Sequence, residues 1–194
     1  AHPDVLYDLV SLNSYDQYTY THCVNVAVLT VGIGVASGLG RAVVGPLGVG
    51  ALLHDLGKRS VPPEILNKPG RLEPGEFEII QTHVVEGEKI LRGHEAIQRE
   101  SLDVVLQHHE RLSGSGYPLG LSGEALHLPG RICAIADCYD AMTTRRPYQR
   151  ARTPYEALLQ ITKEVETYDR DVLDTFIRML GKVGVPKKTH AEAV

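Results

Sequence analysis

YDQYTYTHCVNVAVLTVGIGVAS, residues 15–37, is the stretch that decides the fold. His22, Val26, Leu29 and Ile33 recur at i, i+4, i+7 and i+11, which places them on one face of an α-helix. The apolar run from Val26 to Gly40 raises the question of a membrane span. It is shorter than the roughly 20 residues a span needs, and Gly32, Gly34 and Gly38 with Thr30 and Ser37 interrupt it. A buried core helix is expected, with no membrane insertion.

The same period continues outward. A helix is expected from Arg41 to Leu56, closed by Gly57 as a C-terminal cap. Val61-Pro62-Pro63-Glu64 breaks it, and Gly70 to Gly75 reads as a loop. Helical spacing returns over Glu76–Leu91 and over Ile97–Glu110, where Leu102, Val105, Leu106 and His109 share a side. Residues 111–129 are rich in Gly and Pro, and a loop of that length in a compact domain is usually functional. Gly130–Thr144, Tyr155–Thr167 and Arg170–Gly181 complete the helices, and 183–194 reads as a frayed tail. No alternating strand pattern, repeat or linker interrupts the series. One all-α domain of about seven to nine helices is expected across 1–194, with its core at about 14–180 and ridges packed into grooves.

The 194 residues suffice for one domain that buries roughly two-thirds of its unfolded surface. With no Trp and two Phe, the core must come from Leu, Val, Ile and Ala. A net charge of −4 argues against a DNA or RNA polymer as partner, which would need clustered Lys and Arg. A small anion remains compatible, because bound metal supplies positive charge locally. Cys23, Cys133 and Cys138 are odd in number and outside CxxC spacing, so they read as reduced, buried thiols of a cytoplasmic domain.

The chemistry gathers at helix ends. His54-Asp55, followed by Gly57-Lys58, places an imidazole and a carboxylate where both can reach one first-row metal ion. Taken alone, the pair is equally compatible with a helix-capping His beside a surface Asp. His22 lies on an apolar stripe, where a lone His is more often a satisfied core residue. Gly87, one turn after His83, leaves room for a close neighbour. His108-His109-Glu110 directly precedes the long loop. Asp137 sits in an apolar run, where an unpaired charge would cost several kcal/mol, about the price of a buried ion. Asp140, one turn later, competes with it for a ligand role. Five His and two Asp exceed one tetrahedral site and suit two octahedral-type metals with a shared carboxylate, the arrangement for in-line attack on a phosphodiester. No Cys stands in ligand spacing, which disfavours a structural zinc site.

Four ordered segments carry a resemblance. His54-Asp55-Leu56-Gly57-Lys58 resembles the HD motif of the HD superfamily of phosphohydrolases. His108-His109-Glu110 through Gly114, Gly116-Tyr117-Pro118 resembles the HHExxxGxGYP signature of the HD-GYP subfamily. Arg131-Ile132 through Asp137, Asp140-Ala141-Met142-Thr143 and Arg146-Pro147-Tyr148 resemble its later segments. The likeness covers roughly residues 14–180. It implies an HD-domain helical bundle and carries roles onto matching positions. His22, His54, Asp55 and Asp137 match ligands shared by HD proteins. His83, His108 and His109 match ligands of a second metal, with Asp55 bridging. Lys58 and Arg146 match groups near the substrate phosphate, and Gly116, Tyr117 and Pro118 the loop beside the site. Tyr18 stands where some members have a metal-binding Glu, which points to two metals rather than three. Ser113 and Gln149 depart from residues common in the family, at positions that bear on substrate affinity.

The resemblance implies a cyclic di-GMP phosphodiesterase with two divalent metals, Fe or Mn, forming pGpG by attack of a hydroxide bridging the metals; the sequence does not decide whether a second cut to GMP follows. Asp55 and Lys58 are the expected catalytic groups. Two alternatives stay open: a module that holds cyclic di-GMP without turnover or docks diguanylate cyclase (GGDEF) domains through the Gly-Tyr-Pro loop, and an HD phosphohydrolase for another nucleotide. The chain opens on Ala1, and members of the family commonly carry a regulatory domain upstream, so one is expected here.

Overall fold

The computed structural model describes residues 17–144, 150–164 and 166–183. Among them are eight α-helices: α1 Gln17–Ala36, α2 Arg41–Leu53, α3 Pro63–Leu66, α4 Pro74–Leu91, α5 Arg99–Gln107, α6 Leu128–Thr143, α7 Pro154–Lys163 and α8 Arg170–Val183. Two 3-10 turns, Leu56–Ser60 and Gly123–Ala125, join them. No strand occurs among the described residues; Ser113 and Ser122 form an isolated antiparallel bridge. The all-α bundle read from helical periodicity is therefore the observed architecture.

Local chemistry sets the helix starts. Thr153 and Glu156 form a reciprocal cap on α7: Thr153 Oγ1 accepts from the Glu156 amide at 3.2 Å, and Thr153 N donates to Glu156 Oε2 at 2.8 Å. Pro154 follows in the first turn, where a missing N–H costs nothing. Helices α4 and α6 also open with Pro in the first turn.

α1 packs on α2, α6 and α8, and α5 bridges α2, α4 and α6. The main core lies among them, built on Val26, Ile33, Leu47, Val104, Ile132, Ile135, Ile161 and Phe176. A smaller cluster, Leu53, Leu56, Leu91 and Val105, sits beneath the first 3-10 turn. Gly50 lets α2 and α5 touch closely, since a Cβ there would fall 2.7 Å from both the Ser101 carbonyl oxygen and Val104 Cβ. The window Thr19–Ala36 is long and apolar enough to cross a membrane by length and composition, with 39% of it buried. Cys23, Val26, Thr30 and Ile33 of that helix are fully buried against the bundle, which is the behaviour of a core helix.

Several boundaries differ from the sequence reading, three of them by three residues or more. The helix from Arg41 ends at Leu53, and His54 rather than Gly57 caps it. Gly57 lies inside the 3-10 turn, and its small size serves a backbone contact described below. The helix read over Ile97–Glu110 is shorter, running Arg99–Gln107 with His108 as its C-terminal cap. Its buried face carries Ser101, Val104, Val105 and His108, while Leu102, Leu106 and His109 are only partly covered. The helix expected to reach Thr167 stops at Lys163.

Candidate metal centre

His22 comes from the second turn of α1. His54 and Asp55 come from the end of α2, His83 from α4, His108 and His109 from the end of α5, and Asp137 from α6. The bundle brings all seven side chains together. Asp55 lies between two groups that could each hold a cation: Asp55 with His83, His108 and His109, and Asp55 with His22 and His54, the ligand atoms of each lying within 4.8 Å of one another. Asp55 Oδ2 stands 3.3 Å from His54 Nε2 and 3.9 Å from His22 Nε2, while Oδ1 stands 3.4 Å from His83 Nε2. Asp137 straddles the groups in the same way. Its Oδ1 is 3.0 Å from His22 Nε2 and 4.0 Å from His54 Nε2, and its Oδ2 is 3.8 Å from His109 Nδ1.

Backbone carbonyls orient three of the rings. The Nδ1 atoms of His54, His83 and His108 lie 2.7, 2.6 and 2.8 Å from the carbonyl oxygens of Ala51, Ile80 and Val105. A carbonyl only accepts, so each Nδ1 carries the proton and each Nε2 presents a bare lone pair to the cluster. His83 Nε2 and His108 Nε2 then face each other at 3.4 Å as two acceptors. His54 Nε2 and Asp55 Oδ1 are buried without a hydrogen-bond partner. Such a concentration of unsatisfied lone pairs is costly unless a cation lies among them. Ligands in adjacent octahedral positions about 2.1 Å from one ion are about 3 Å apart, close to the spacings here. The donor set of imidazoles and carboxylates fits first-row divalent metal.

Electrostatics agree for His83, His108 and His109, whereas His22 keeps its second proton until a cation replaces it. Burial, aided by neighbouring imidazoles, holds His108 well below its ordinary value. Burial lowers His83 to about 4 and His109 to about 3 against the pull of Asp55 and Asp137, so both rings are neutral near pH 7 and their lone pairs are available. Burial would also lower His22, but hydrogen bonds to Asp137 and Asp140 overcome it and raise the group to about 9. Burial opposes ionisation of Asp55 and Asp137, yet Lys58 and His54 around the first, and His22 and His109 around the second, keep both carboxyls well below the usual range. Lys58 Nζ sits 2.6 Å from Asp55 Oδ2 and stays charged; burial alone would lower it, and Asp55 raises it.

The turn that carries Asp55 and Lys58 lies against the helix that carries His83. A Cβ on Gly57 would overlap the His83 carbonyl oxygen and fall 2.5 Å from the Gly87 amide nitrogen. The room beside Gly87 noted in the sequence is filled by this turn.

Tyr117, in the segment Gly116-Tyr117-Pro118, lies over the group of His83, His108 and His109. Tyr117 stacks on the His109 ring, with centroids 4.6 Å apart and planes 28° apart, and joins Pro118 by a cis peptide. Phe77 of α4 meets Tyr117 edge-on at 6.0 Å. Arg146 and Gln149 lie outside the described residues, as do the side chain of Tyr18 and the tail beyond Val183. Ser113 is exposed, and its hydroxyl lies 2.9 Å from that of Ser115.

One carboxylate received no role from sequence, and another takes a role different from the one expected. Glu110, fully buried, accepts from the amides of Leu119 at 2.6 Å and Leu121 at 2.9 Å and so anchors the loop. An acidic residue leading into a stretch with many unpaired amides is the signal that could have found it. Asp140, the competitor to Asp137, takes the opposite nitrogen of His22 at 2.6 Å.

The chain is 38% identical over 180 residues to a cyclic di-GMP phosphodiesterase of Pseudomonas aeruginosa, a match spanning 93% of this chain and 44% of that protein. It is 36% identical over 172 residues to a 3'3'-cGAMP-specific phosphodiesterase of Vibrio cholerae, over 86% of this chain and 39% of that protein. The chain thus spans less than half the length of these curated relatives. Its fold resembles that of an HDG"Y"P protein from Bdellovibrio bacteriovorus, with a TM-score of 0.68 at 20% identity, over 82% of this chain and 51% of that one. Residues 5–172 match the HD domain, and the chain belongs to the HD domain family.

Proposed function

We propose that this chain is an HD-GYP-type cyclic di-GMP phosphodiesterase domain that holds two divalent metals, Fe or Mn. The observation that carries the reading is Asp55, shared between two cation-ready groups of imidazoles. His22, His54 and Asp137 would hold one ion, His83, His108 and His109 the other, with Asp55 between them. When bound, such a pair polarises phosphoryl oxygens and lowers the pKa of water at the site.

The chain's own residues do the rest. Lys58 has three donors; one is used on Asp55 Oδ2, and the others can meet a phosphoryl oxygen as charge gathers there. Tyr117 covers His109 and limits water on that side. Arg146 is assigned to the substrate by family pattern alone. Six of the seven proposed ligands fall in the two groups and Asp137 lies beside both, which favours turnover over a receptor that only binds.

A related substrate is the second reading. The Vibrio cholerae relative is named for 3'3'-cGAMP, which differs from cyclic di-GMP in one base while offering the same phosphodiesters to the metals. By the same proposal the domain acts in the cytoplasm, and GGDEF domains are proposed as protein partners at the Gly-Tyr-Pro loop.

The deciding experiment is anaerobic purification, metal quantification, and assay of the same sample on cyclic di-GMP and 3'3'-cGAMP. Two metals per chain with pGpG formed supports the enzyme. Faster turnover of 3'3'-cGAMP moves the reading to that substrate. Tight binding without product makes the domain a receptor, and absence of metal and activity after adding Fe or Mn refutes the assignment.

A further inference from the structure

His22 differs from the other oriented rings of the centre. His54, His83 and His108 each place Nδ1 on a backbone carbonyl three residues earlier. His22 places Nδ1 on a carboxylate, Asp140 Oδ2, at 2.6 Å. Helix α6 therefore grips one imidazole twice: Asp137 faces Nε2, and Asp140, one turn on, faces Nδ1. Asp140 is itself fastened. Its Oδ1 accepts from Asn25 Nδ2 at 3.0 Å and from Thr144 Oγ1 at 3.0 Å, and the residue is 4% exposed. Asn25 stands three residues after His22 on α1, so the network ties α1 to the end of α6 at the ligand itself.

We propose that Asp140 is a positioning residue for the metal centre: it holds the proton of His22 on Nδ1 and thereby aims the Nε2 lone pair at the cation shared with His54 and Asp55. This deepens the proposed function and rests on it. A carboxylate outside a ligating imidazole fixes the ring's tautomer and raises its basicity, and removing such a partner typically costs about 10- to 100-fold in metal affinity. Asp140 sits on the His22 side only; in the other group His83 and His108 are held by carbonyls. The consequence is asymmetric: losing Asp140 weakens one cation position and spares the other.

The substitutions are Asp140→Asn and Asp140→Ala in the full chain. Asp140→Asn keeps the size and one oxygen that can accept from Nδ1, and loses the charge. Metal-free protein would be titrated with Mn(II), reading free Mn(II) by electron paramagnetic resonance. Zn(II)-loaded protein would be read by NMR for the imidazole Nδ1–H signals. The expected result is one class of Mn(II) position weakened about 10-fold in Asp140→Asn and toward 100-fold in Asp140→Ala, with the other within about 2-fold of wild type. The His22 Nδ1–H signal should move in Asp140→Asn and disappear in Asp140→Ala, with those of His83 and His108 unchanged. Should Asp140→Ala not fold, Asp140→Asn decides alone. Unchanged Mn(II) binding in the variants, or equal weakening of both positions, overturns the proposal while leaving the metal reading intact. A wild-type chain that takes up no Mn(II) overturns both.

Discussion

Gly57→Ala should damage the centre without touching a ligand. The added Cβ would overlap the His83 carbonyl oxygen and lie 2.5 Å from the Gly87 amide nitrogen and 2.8 Å from the His83 carbonyl carbon. Ordinary contact begins near 3.4 Å, so the turn and α4 must separate by about 0.9 Å at Gly87, and further at the carbonyl oxygen. Neither obstacle is a side chain that can rotate away. Asp55 and Lys58 ride on one of these backbones and His83 on the other, where Asp55 Oδ1 and His83 Nε2 stand 3.4 Å apart. Overpacking of this kind costs about 1–3 kcal/mol, or a melting temperature lower by about 2–12 °C for a chain this size. A shift near 1 Å between catalytic elements can cost about 100-fold in rate. The assay is thermal melting, metal content and kcat/KM on the preferred cyclic dinucleotide, with far-ultraviolet circular dichroism as the control for fold. A Gly57→Ala protein with wild-type melting, metal content and kcat/KM would refute the claim that backbone contact sets the spacing of the centre.

Asp55→Ala should lose both metals and about 1000-fold in turnover, while circular dichroism stays helical, because one carboxylate serves both groups; full activity would sink the two-metal reading. Glu110→Ala should free the amides of Leu119 and Leu121, lowering stability by about 3 kcal/mol and exposing the loop to limited proteolysis, measured as faster cleavage within 113–122. In metal-free protein, stability should fall on both sides of about pH 6.5, the ordinary histidine value. His83 and His109 are depressed to about 4 and 3, so their contribution is present above the unfolded value and is lost as pH falls toward those values. His22 is raised to about 9, so its contribution is present at low pH and is lost as pH rises through 9. Melting curves in chelator at pH 5, 6.5 and 9 check this; a melting temperature that climbs steadily from 6.5 to 9 contradicts it.

The helices were legible because burial imposes a period on the chain. Val26 and Ile33 recur with the helical turn and are fully buried, and α4 begins within two residues of the expected start. The end of α2 was misread because Gly57 was assigned the usual reason for a glycine after a helix. Its actual reason is α4, which is distant in sequence and close in space. Likewise Leu106 looked like part of the buried side of α5, but which stripe is covered depends on how α2 and α6 approach it.

The sequence by itself determined that the chain is helical and which residue types could ligate, because periodicity and chemical identity are local properties. Tertiary structure alone decided which atoms meet. The two oxygens of Asp55 face different imidazoles, Asp140 rather than a carbonyl holds His22, and Glu110 ties down the loop beneath Tyr117. Each is a contact between groups on different elements, set by ångström-scale helix packing that no spacing along the chain records.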